Sequence, residues 1–295
     1  MQVNKLVILG LGLIGGSLAL AGRRAGAIEQ VVAWGRRDRS LLKGQALGVI
    51  DSWTLDLDEA LEGADMVVVA TPTRTAEQVM CQVLERVGPD CVVTDVASVK
   101  GNLLRAVQGA FNRVPPNLVL AHPIAGSEQS GVEAAKQDLF VDHRVILTPT
   151  DETDPRALVK VRSLWEATGA EVVEMNVYQH DQVLGATSHL PHMIAYALVD
   201  ALASSPQGEE IFRYAAGGFR DFTRIASSDP QMWSEIAEAN AGALVAAIED
   251  FEAVLGELKH QVAAGDVEAI SARFARAKDS RDRFVVGRKQ VGDDE

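Results

Sequence analysis

The chain has 295 residues, of which 47% are hydrophobic and 23% charged, and its formal net charge is −13 at pH 7. This length is enough for two domains with substantial cores. The negative charge argues against a nucleic-acid partner or an anionic membrane surface, because both repel an acidic protein. No apolar stretch reaches, without interruption, the roughly 20 residues that a membrane span needs.

The N-terminus and the cysteines indicate the compartment. The first residues lead directly into an apolar strand, so we expect no secretory signal peptide. Cys81 and Cys91 are too few for a disulfide framework, and they lack metal-ligand spacing. The sequence therefore predicts a cytoplasmic protein without a metal ion.

A glycine-rich turn follows the first predicted strand. The apolar run Leu6–Leu9 leads into G-x-G-x-x-G at Gly10, Gly12 and Gly15, and a second strand is predicted at Val31–Trp34. In a strand–turn–helix unit the first glycine allows the tight turn, the second lets the backbone approach a pyrophosphate, and the third lets the helix pack closely. The spacing predicts a dinucleotide site, and the alternative is a plain tight turn.

Two further places belong to this predicted cofactor site. Leu13 and Ile14 lie in the first turn of the helix, where backbone amides point their partial positive charge towards phosphates. Thr71 follows the buried strand Met66–Ala70, and open α/β sheets bind ligands at the carboxyl ends of their strands.

The residues after the second strand indicate which dinucleotide is bound. NAD-binding folds usually place an acid there for the ribose 2′-hydroxyl, whereas this chain has Arg36, followed by Arg37 and Ser40. A guanidinium suits a 2′-phosphate through charge-assisted hydrogen bonds, so the sequence favours NADP over NAD. Two alternatives stay open: a solvated basic loop, and Asp38 acting as the ribose acid.

Strands and helices alternate up to Met175, and no strand pattern recurs after it. This predicts an α/β fold, with an N-terminal Rossmann-type, doubly wound, mostly parallel sheet and an all-helical C-terminal domain. We expect a dinucleotide-binding domain over 1–175 and a helical substrate and dimerisation domain over 176–295. The later strands are predicted at Cys91–Asp95, Leu118–Ala121, Asp142–Leu147 and Glu171–Met175.

Ser98 and His122 both follow strand ends on the predicted cofactor side. A histidine has an unperturbed pKa near 6.5 and is a natural general base. From position alone, a loop histidine without catalytic function is an equal alternative.

Five segments, taken together and in this order, resemble the prephenate/arogenate dehydrogenase family of tyrosine biosynthesis, over nearly the whole chain. They are Gly10–Ser17, Asp95–Lys100, His122–Glu128, Ser188–His192 and Gly217–Ala226.

The resemblance implies roles for individual residues. His122 matches the family's catalytic histidine, and Ser98 matches the serine that helps to orient it and the substrate. Arg224 matches the arginine that holds a substrate carboxylate, while His192 and His180 match further active-site histidines. One departure concerns the cofactor, since many members carry an acid where this chain has an arginine after the second strand.

The first long segment of the second half, Tyr178–Ala203, is apolar on nearly every side, which predicts a helix buried between two subunits or at a domain core. His189 and His192 lie three residues apart on it, and Pro191 is expected to bend it. Without the resemblance, two satisfied core histidines would be the better interpretation. With it, we expect His192 in the active site and a structural role for His189.

Arg220 and Arg224 follow at i,i+4 spacing on one predicted helical face. Such pairs are usually surface ion-pair partners, and the alternative is an anion site for a dicarboxylate. We expect Arg224 to contact the small anionic substrate directly, with Arg220 beside it.

An apolar seam in the last part of the chain repeats at intervals of 4, 3, 4 and 3. It predicts a homodimer through the helical domain, the alternative being packing within one chain. The seam is formed by Leu244, Ile248, Phe251, Leu255 and Leu258.

The reaction that the resemblance implies is the oxidative decarboxylation of prephenate or arogenate, between which no residue decides. Two alternatives are another NADP-dependent hydroxy-acid dehydrogenase and a non-catalytic NADP-sensing protein. The first needs a lysine base on the long helix, and Tyr178–Ala203 contains none. The second leaves Ser98 and His122 unexplained.

Overall fold

The computed structural model describes residues 2–127 and 129–290. Within them, eight strands form one sheet in the order β3-β2-β1-β4-β5-β6-β7-β8. Neighbouring strands are parallel except for β6 and β7, which are antiparallel. The strands are β1 (Val3–Leu9), β2 (Ile28–Trp34), β3 (Ser52–Thr54), β4 (Met66–Val69), β5 (Val92–Asp95), β6 (Leu118–Pro123), β7 (Arg144–Thr148) and β8 (Glu171–Glu174).

Helices cover both faces of this sheet, and only helices follow β8 among the described residues. This confirms the predicted fold class. The helices are α1 (Leu13–Arg24), α2 (Asp38–Ala46), α3 (Leu57–Leu61), α4 (Thr73–Leu84), α5 (Gly101–Phe111), α6 (Pro155–Ala167), α7 (Val177–Leu184), α8 (Leu190–Ala203), α9 (Gly208–Arg213), α10 (Gly217–Thr223), α11 (Pro230–Ala239), α12 (Ala241–Ala264) and α13 (Val267–Gln290).

Alternating side chains along the central strands build a core on each face of the sheet. In β1, Leu6 and Ile8 pack with α1 and α6, whereas Val7 and Leu9 pack with α4 and α5. All four residues of β4 are fully buried, as expected for a parallel strand covered on both sides. Strand β3 is not predicted from the sequence, since it has only three residues and lies at the edge of the sheet.

Strand β6 extends further than the sequence predicted. It pairs with β5 only at Leu118 and Val119, and then with β7 from Leu120 to Pro123. The antiparallel partner lengthens the strand, so His122 lies inside it rather than in the loop that follows.

The single buried helix predicted over 178–203 is interrupted. A π-helical segment, Gly185–His189, separates α7 from α8. Pro191 has no N–H to donate to the carbonyl of Thr187, and π-helical turns form where the regular i→i−4 ladder is broken. Most of α8 is half-buried within one chain, with only Ala195 fully covered, so burial of this helix between two subunits stays a prediction.

The two arginines of the predicted anion site do not share one α-helix. Arg220 lies in α10, which ends at Thr223, and Arg224 begins the 3-10 turn that follows, Arg224–Ser227. Both arginines are exposed.

The described chain divides into two compact units, 1–244 and 245–295. In the second unit, the rest of α12 and α13 form a helical hairpin. Arg273 donates to Gln261 Oε1 at 3.1 Å and to Glu257 Oε2 at 2.6 Å across this hairpin. No helix among the described residues is long and apolar enough to cross a bilayer.

Candidate active site

The glycine turn lies where β1 passes next to β4. Gly10 has φ +96°, and a Cβ atom there would lie 2.7 Å from the carbonyl oxygen of Ala70. At Gly15 a Cβ atom would lie 2.8 Å from Ile8 Cγ2. A side chain at either position would therefore disturb the turn or the contact of α1 with the sheet.

The residues around this turn fit a dinucleotide. No atom lies within 4 Å of a Cβ built on Gly12, so the turn faces open space there. Leu13 and Ile14 are the first residues of α1, whose initial amides have no partner within the helix. Thr71 Oγ1 is buried and has no hydrogen-bond partner in the part of the chain that the structure describes. Open space, free amides and an unused hydroxyl are what a bound diphosphate and ribose would need.

The basic residues after β2 lie at the surface beside this turn. Arg36 and Arg37 are exposed, and Arg37 directly precedes α2. Asp38 is the first residue of α2, and Ser40 is half-buried in its first turn. Among the described contacts, neither guanidinium has an acidic partner, so both are available to a ligand anion.

Three side chains form a hydrogen-bonded chain that ends at His122. His122 Nδ1 lies 2.9 Å from His180 Nε2, and His180 Nδ1 lies 2.8 Å from Asp181 Oδ1. The Asp181 carboxylate also accepts the backbone N–H groups of Lys100 and Gly101, at 2.9 and 2.8 Å. We call Asp181, His180 and His122 the base chain.

The Asp181 carboxylate determines which ring nitrogens of His180 and His122 carry a proton. Asp181 only accepts hydrogen bonds, so His180 donates from Nδ1 and accepts at Nε2. His122 therefore donates from Nδ1, which leaves the lone pair of its Nε2 for a substrate. Burial lowers the pKa of His122 well below 6.5, and His180 and Lys100 lower it further. The neutral form, which is the one that accepts a proton, is thus favoured.

The other members of the base chain are held in matching states. Burial alone would raise the pKa of Asp181, but hydrogen bonds from His180 and from the two backbone amides outweigh it and bring the pKa below its usual value. Burial lowers the pKa of His180, while Asp181 opposes this effect. The arrangement is a neutral histidine pair backed by an ionised carboxylate.

Ser98 lies in the loop between β5 and α5, beside the strand that carries His122. It is half-buried, and its hydroxyl has no hydrogen-bond partner among the described residues, His122 included. The two residues come from neighbouring strand ends, and no hydrogen bond joins them among the described contacts.

His189 is the last residue of the π-helical segment and His192 lies in the first turn of α8, and both contact Trp233 of α11. The ring of His192 stacks on the indole at 3.5 Å between centroids, whereas the His189 ring meets it edge-on at 6.1 Å. His192 Nδ1 donates to the carbonyl of Ser188 at 2.9 Å, so its Nε2 is an acceptor. His189 is fully buried and accepts from Asn240 Nδ2 at 3.0 Å.

The turn that begins at Arg224 packs against α8, and the hydroxyl of Tyr196 donates to the carbonyl of Ser228 at 2.7 Å. Arg224 is thus placed next to the helix that carries His192. Arg220 lies one turn earlier, in α10. The described residues contain no group of three histidine, cysteine or acidic side chains that could hold a metal ion.

Sequence reasoning missed four residues that the structure places at this site: Lys100, Asp181, Trp233 and Asn240. Asp181 gave one readable signal, since it directly follows a histidine. The other three gave none, because their roles depend on contacts between distant segments. Asn240, for example, also donates to the carbonyl of Asp181, 59 residues earlier in the chain.

Two family models match this chain in succession. Residues 18–174 match the nucleotide-binding domain of prephenate dehydrogenase, and residues 176–276 match its dimerization domain.

Individual relatives are similar over nearly the full length. A cyclohexadienyl dehydrogenase of Zymomonas mobilis is 33% identical over 279 residues, covering 94% of each chain. A prephenate dehydrogenase of Bacillus subtilis is 35% identical over 291 residues, which cover 97% of this chain and 77% of that protein.

A solved structure agrees with the described fold. It is the prephenate dehydrogenase of Aquifex aeolicus, in complex with hydroxyphenyl propionate and NAD+. The two structures superpose with a TM-score of 0.89 at 36% identity, over 96% of this chain and 99% of that one. The chain is therefore an enzyme of the prephenate dehydrogenase family, with the family's nucleotide-binding and dimerization domains.

Proposed function

We propose that this enzyme catalyses the oxidative decarboxylation of a cyclohexadienyl substrate, prephenate or arogenate, with hydride transfer to a nicotinamide cofactor, in tyrosine biosynthesis. The base chain is the observation that carries this proposal. It presents the lone pair of a neutral, buried histidine at the carboxyl edge of a dinucleotide-binding sheet. The names of the Z. mobilis and B. subtilis relatives support the substrate class.

His122 Nε2 takes the proton of the ring hydroxyl as the hydride leaves the same carbon. The positive charge that develops on His122 is stabilised through His180 by the Asp181 carboxylate. The bound nicotinamide supplies the hydride acceptor, and loss of carbon dioxide makes the ring aromatic. The protein therefore mainly needs to orient the hydroxyl and keep its base neutral.

Substrate contacts are proposed for four side chains. Ser98 has an unused hydroxyl beside the strand of His122, which supports a hydrogen bond to the substrate hydroxyl. Arg224 is the proposed partner of a substrate carboxylate, with Arg220 nearby. His192 keeps Nε2 as an acceptor while Trp233 fixes its ring plane, so it is suited to accept a hydrogen bond from the substrate.

The preferred cofactor is proposed to be NADP. Arg36 and Arg37 are exposed, lack acidic partners among the described contacts, and flank the loop in which an NAD-specific acid would be expected. Ser40 adds a hydroxyl in the same turn. The A. aeolicus structure was solved with NAD+, so this proposal rests on the residues of the present chain.

The organisation of the whole enzyme is also a proposal. We place the boundary between the dinucleotide-binding and helical domains after Met175, and expect a homodimer through the helical domain. The exposed apolar side chains of α12 and α13 support the dimer. Cys81 and Cys91 are both free thiols, which supports a cytoplasmic location.

The deciding experiment measures nicotinamide reduction with prephenate and with arogenate, each with NAD and with NADP. His122→Asn is expected to lower kcat by about 10²–10⁴-fold with little change in the KM for the cofactor. His143→Asn is the matched control, because His143 is an exposed histidine. Absence of turnover with both substrates, or near-normal turnover by His122→Asn, contradicts the proposal.

A further inference from the structure

Strand β6 continues past the end of its parallel partner, and two side chains complete the hydrogen bonding there. The register of β5 and β6 ends at Thr94 and Val119. Two residues further on, the N–H of Ala121 donates to Asp95 Oδ1 at 3.0 Å, and its carbonyl accepts from Lys100 Nζ at 2.8 Å. Asp95 and Lys100 thus satisfy the backbone groups immediately before His122.

These two side chains form a fully buried ion pair, each with 0% of its side chain exposed. Lys100 Nζ donates to Asp95 Oδ2, which also accepts the N–H of Ala97 at 2.8 Å. Both oxygens of Asp95 accept N–H donors and Lys100 Nζ donates to two oxygens, which is the hydrogen bonding of a carboxylate and an ammonium. Burial lowers the pKa of Lys100, while Asp95 and Asp181 oppose this effect. We call Asp95 and Lys100 the buried pair.

The same lysine also reaches the other end of the base chain. Its backbone N–H, with that of Gly101, binds the carboxylate of Asp181 at the start of α5. Residue 100 therefore contacts both the strand of His122, through its side chain, and Asp181, through its backbone. The distance between the two ends of the base chain depends on this one residue.

We propose that Lys100, anchored by Asp95, is a positioning residue for the general base: it holds His122 and Asp181 at the spacing that His180 bridges. The proposal rests on the proposed function, because it requires His122 to act as the base. The charged and titratable groups around His122 are His180 and Asp181 of α7, His189 of the π-helical segment, and the buried pair.

Removing the lysine charge is therefore expected to change the pH profile as well as the rate. Burial and His180 lower the pKa of His122, and Lys100 lowers it further. Lys100→Met removes this positive charge and leaves Asp95 unbalanced, and both changes raise the pKa of His122. The acidic limb of kcat/KM should move to higher pH, and kcat on the plateau should fall by roughly tenfold to 100-fold, the scale expected for a misplaced base.

A second variant tests position without changing charge. A Cβ atom on Gly101 would lie 2.6 Å from Asp181 Oδ2, so Gly101→Ala displaces the carboxylate. It should lower kcat by about tenfold while the KM for the cofactor stays within about twofold of wild type. This variant keeps the buried pair, and it tests the proposal even if Lys100→Met does not fold.

The matched control is Arg86→Met, which removes the exposed cation that contacts Asp58 at 2.9 Å. It should leave kcat and the acidic limb unchanged. The positioning role would be overturned if a folded Lys100→Met enzyme kept the wild-type acidic limb of kcat/KM and the wild-type plateau kcat. A wild-type kcat in Gly101→Ala would overturn it as well. If wild type turns over neither prephenate nor arogenate, the proposed function itself fails, which is a distinguishable result.

Discussion

Arg36 is the residue on which the proposed cofactor preference depends. Replacing it with aspartate removes a donor for the 2′-phosphate and supplies an acceptor for a ribose hydroxyl. Arg36→Asp should therefore shift the ratio of kcat/KM for NADP to that for NAD by at least about 100-fold towards NAD, since charge-assisted contacts contribute about 1.5–3 kcal/mol each.

The control for this prediction is Arg24→Asp. Arg24 is an exposed arginine in the last turn of α1, at the opposite end of that helix from the glycine turn. Because both variants replace an arginine with an aspartate, the change in net charge is identical. An unchanged cofactor ratio in Arg36→Asp, or an equal change in both variants, would reject the 2′-phosphate role.

At the residue scale, the sequence predicts groups whose chemistry is local and misses groups whose role is set by distant contacts. His122 is readable because it follows a predicted strand and matches the family's catalytic histidine, whereas its position alone leaves a loop histidine as an equal alternative. Lys100 is not readable, because a lysine in a loop is normally exposed. Only the position of β6, which brings the Ala121 carbonyl to its ammonium, explains its burial.

The break between α7 and α8 is the element with the clearest consequence for stability. It places His189 in the interior, where burial lowers its pKa to about 4. In the unfolded chain this pKa is about 6.5, so the unfolded state binds more protons between these values. The contribution of neutral His189 to the free energy of unfolding is thus complete above pH 6.5. It is lost as the pH falls towards 4, which lowers the free energy of unfolding by about 3 kcal/mol.

His189→Gln tests this dependence, because glutamine can still accept from Asn240 and does not titrate. The free energy of unfolding, measured by urea denaturation at pH 7 and pH 4, should decrease less with acid in the variant than in wild type. The expected difference is about 3 kcal/mol. Equal decreases would contradict the prediction, because they would show that His189 has the same pKa in the folded and unfolded states. His143→Gln serves as the exposed control.

At the element scale, the periodicity of the sequence was most informative where one environment surrounds a whole segment. The continuous apolar run Met66–Ala70 predicts a buried strand, and all four residues of β4 are fully buried in the middle of the sheet. The same reasoning predicts a bend at Pro191, but not that the turn before it is π-helical. An apolar helix and an apolar π-helical segment have the same composition, and only Pro191 distinguishes them.

At the scale of the whole molecule, several large apolar side chains of α12 and α13 in the second unit are exposed in one chain. Phe251, Leu255 and Phe274 are 36%, 50% and 55% exposed in one chain. Together with the match to a dimerization domain, this predicts that the enzyme sediments with twice the mass of one chain at micromolar concentration.

Leu255→Glu should weaken this dimer by roughly 100-fold in Kd, because it replaces a buried apolar contact with an unpaired carboxylate. Val159→Glu is the control. The exposed fraction of Val159, 53%, is similar to that of Leu255, but Val159 lies on α6 of the first unit. A monomeric wild type, or a dimer unaffected by Leu255→Glu, would contradict the prediction.

The base chain has a consequence for how this enzyme is made. Strands β1 to β6 and the buried pair are encoded before residue 124, whereas His180 and Asp181 emerge from the ribosome almost sixty residues after His122. During vectorial synthesis, the N-terminal strands are able to assemble first. Until Asp181 arrives, however, the first amides of α5 and Nδ1 of His122 lack their partners. In the nascent dinucleotide-binding fold, His122 therefore gains its hydrogen bond to His180, which in turn contacts Asp181, only when α7 folds onto the sheet.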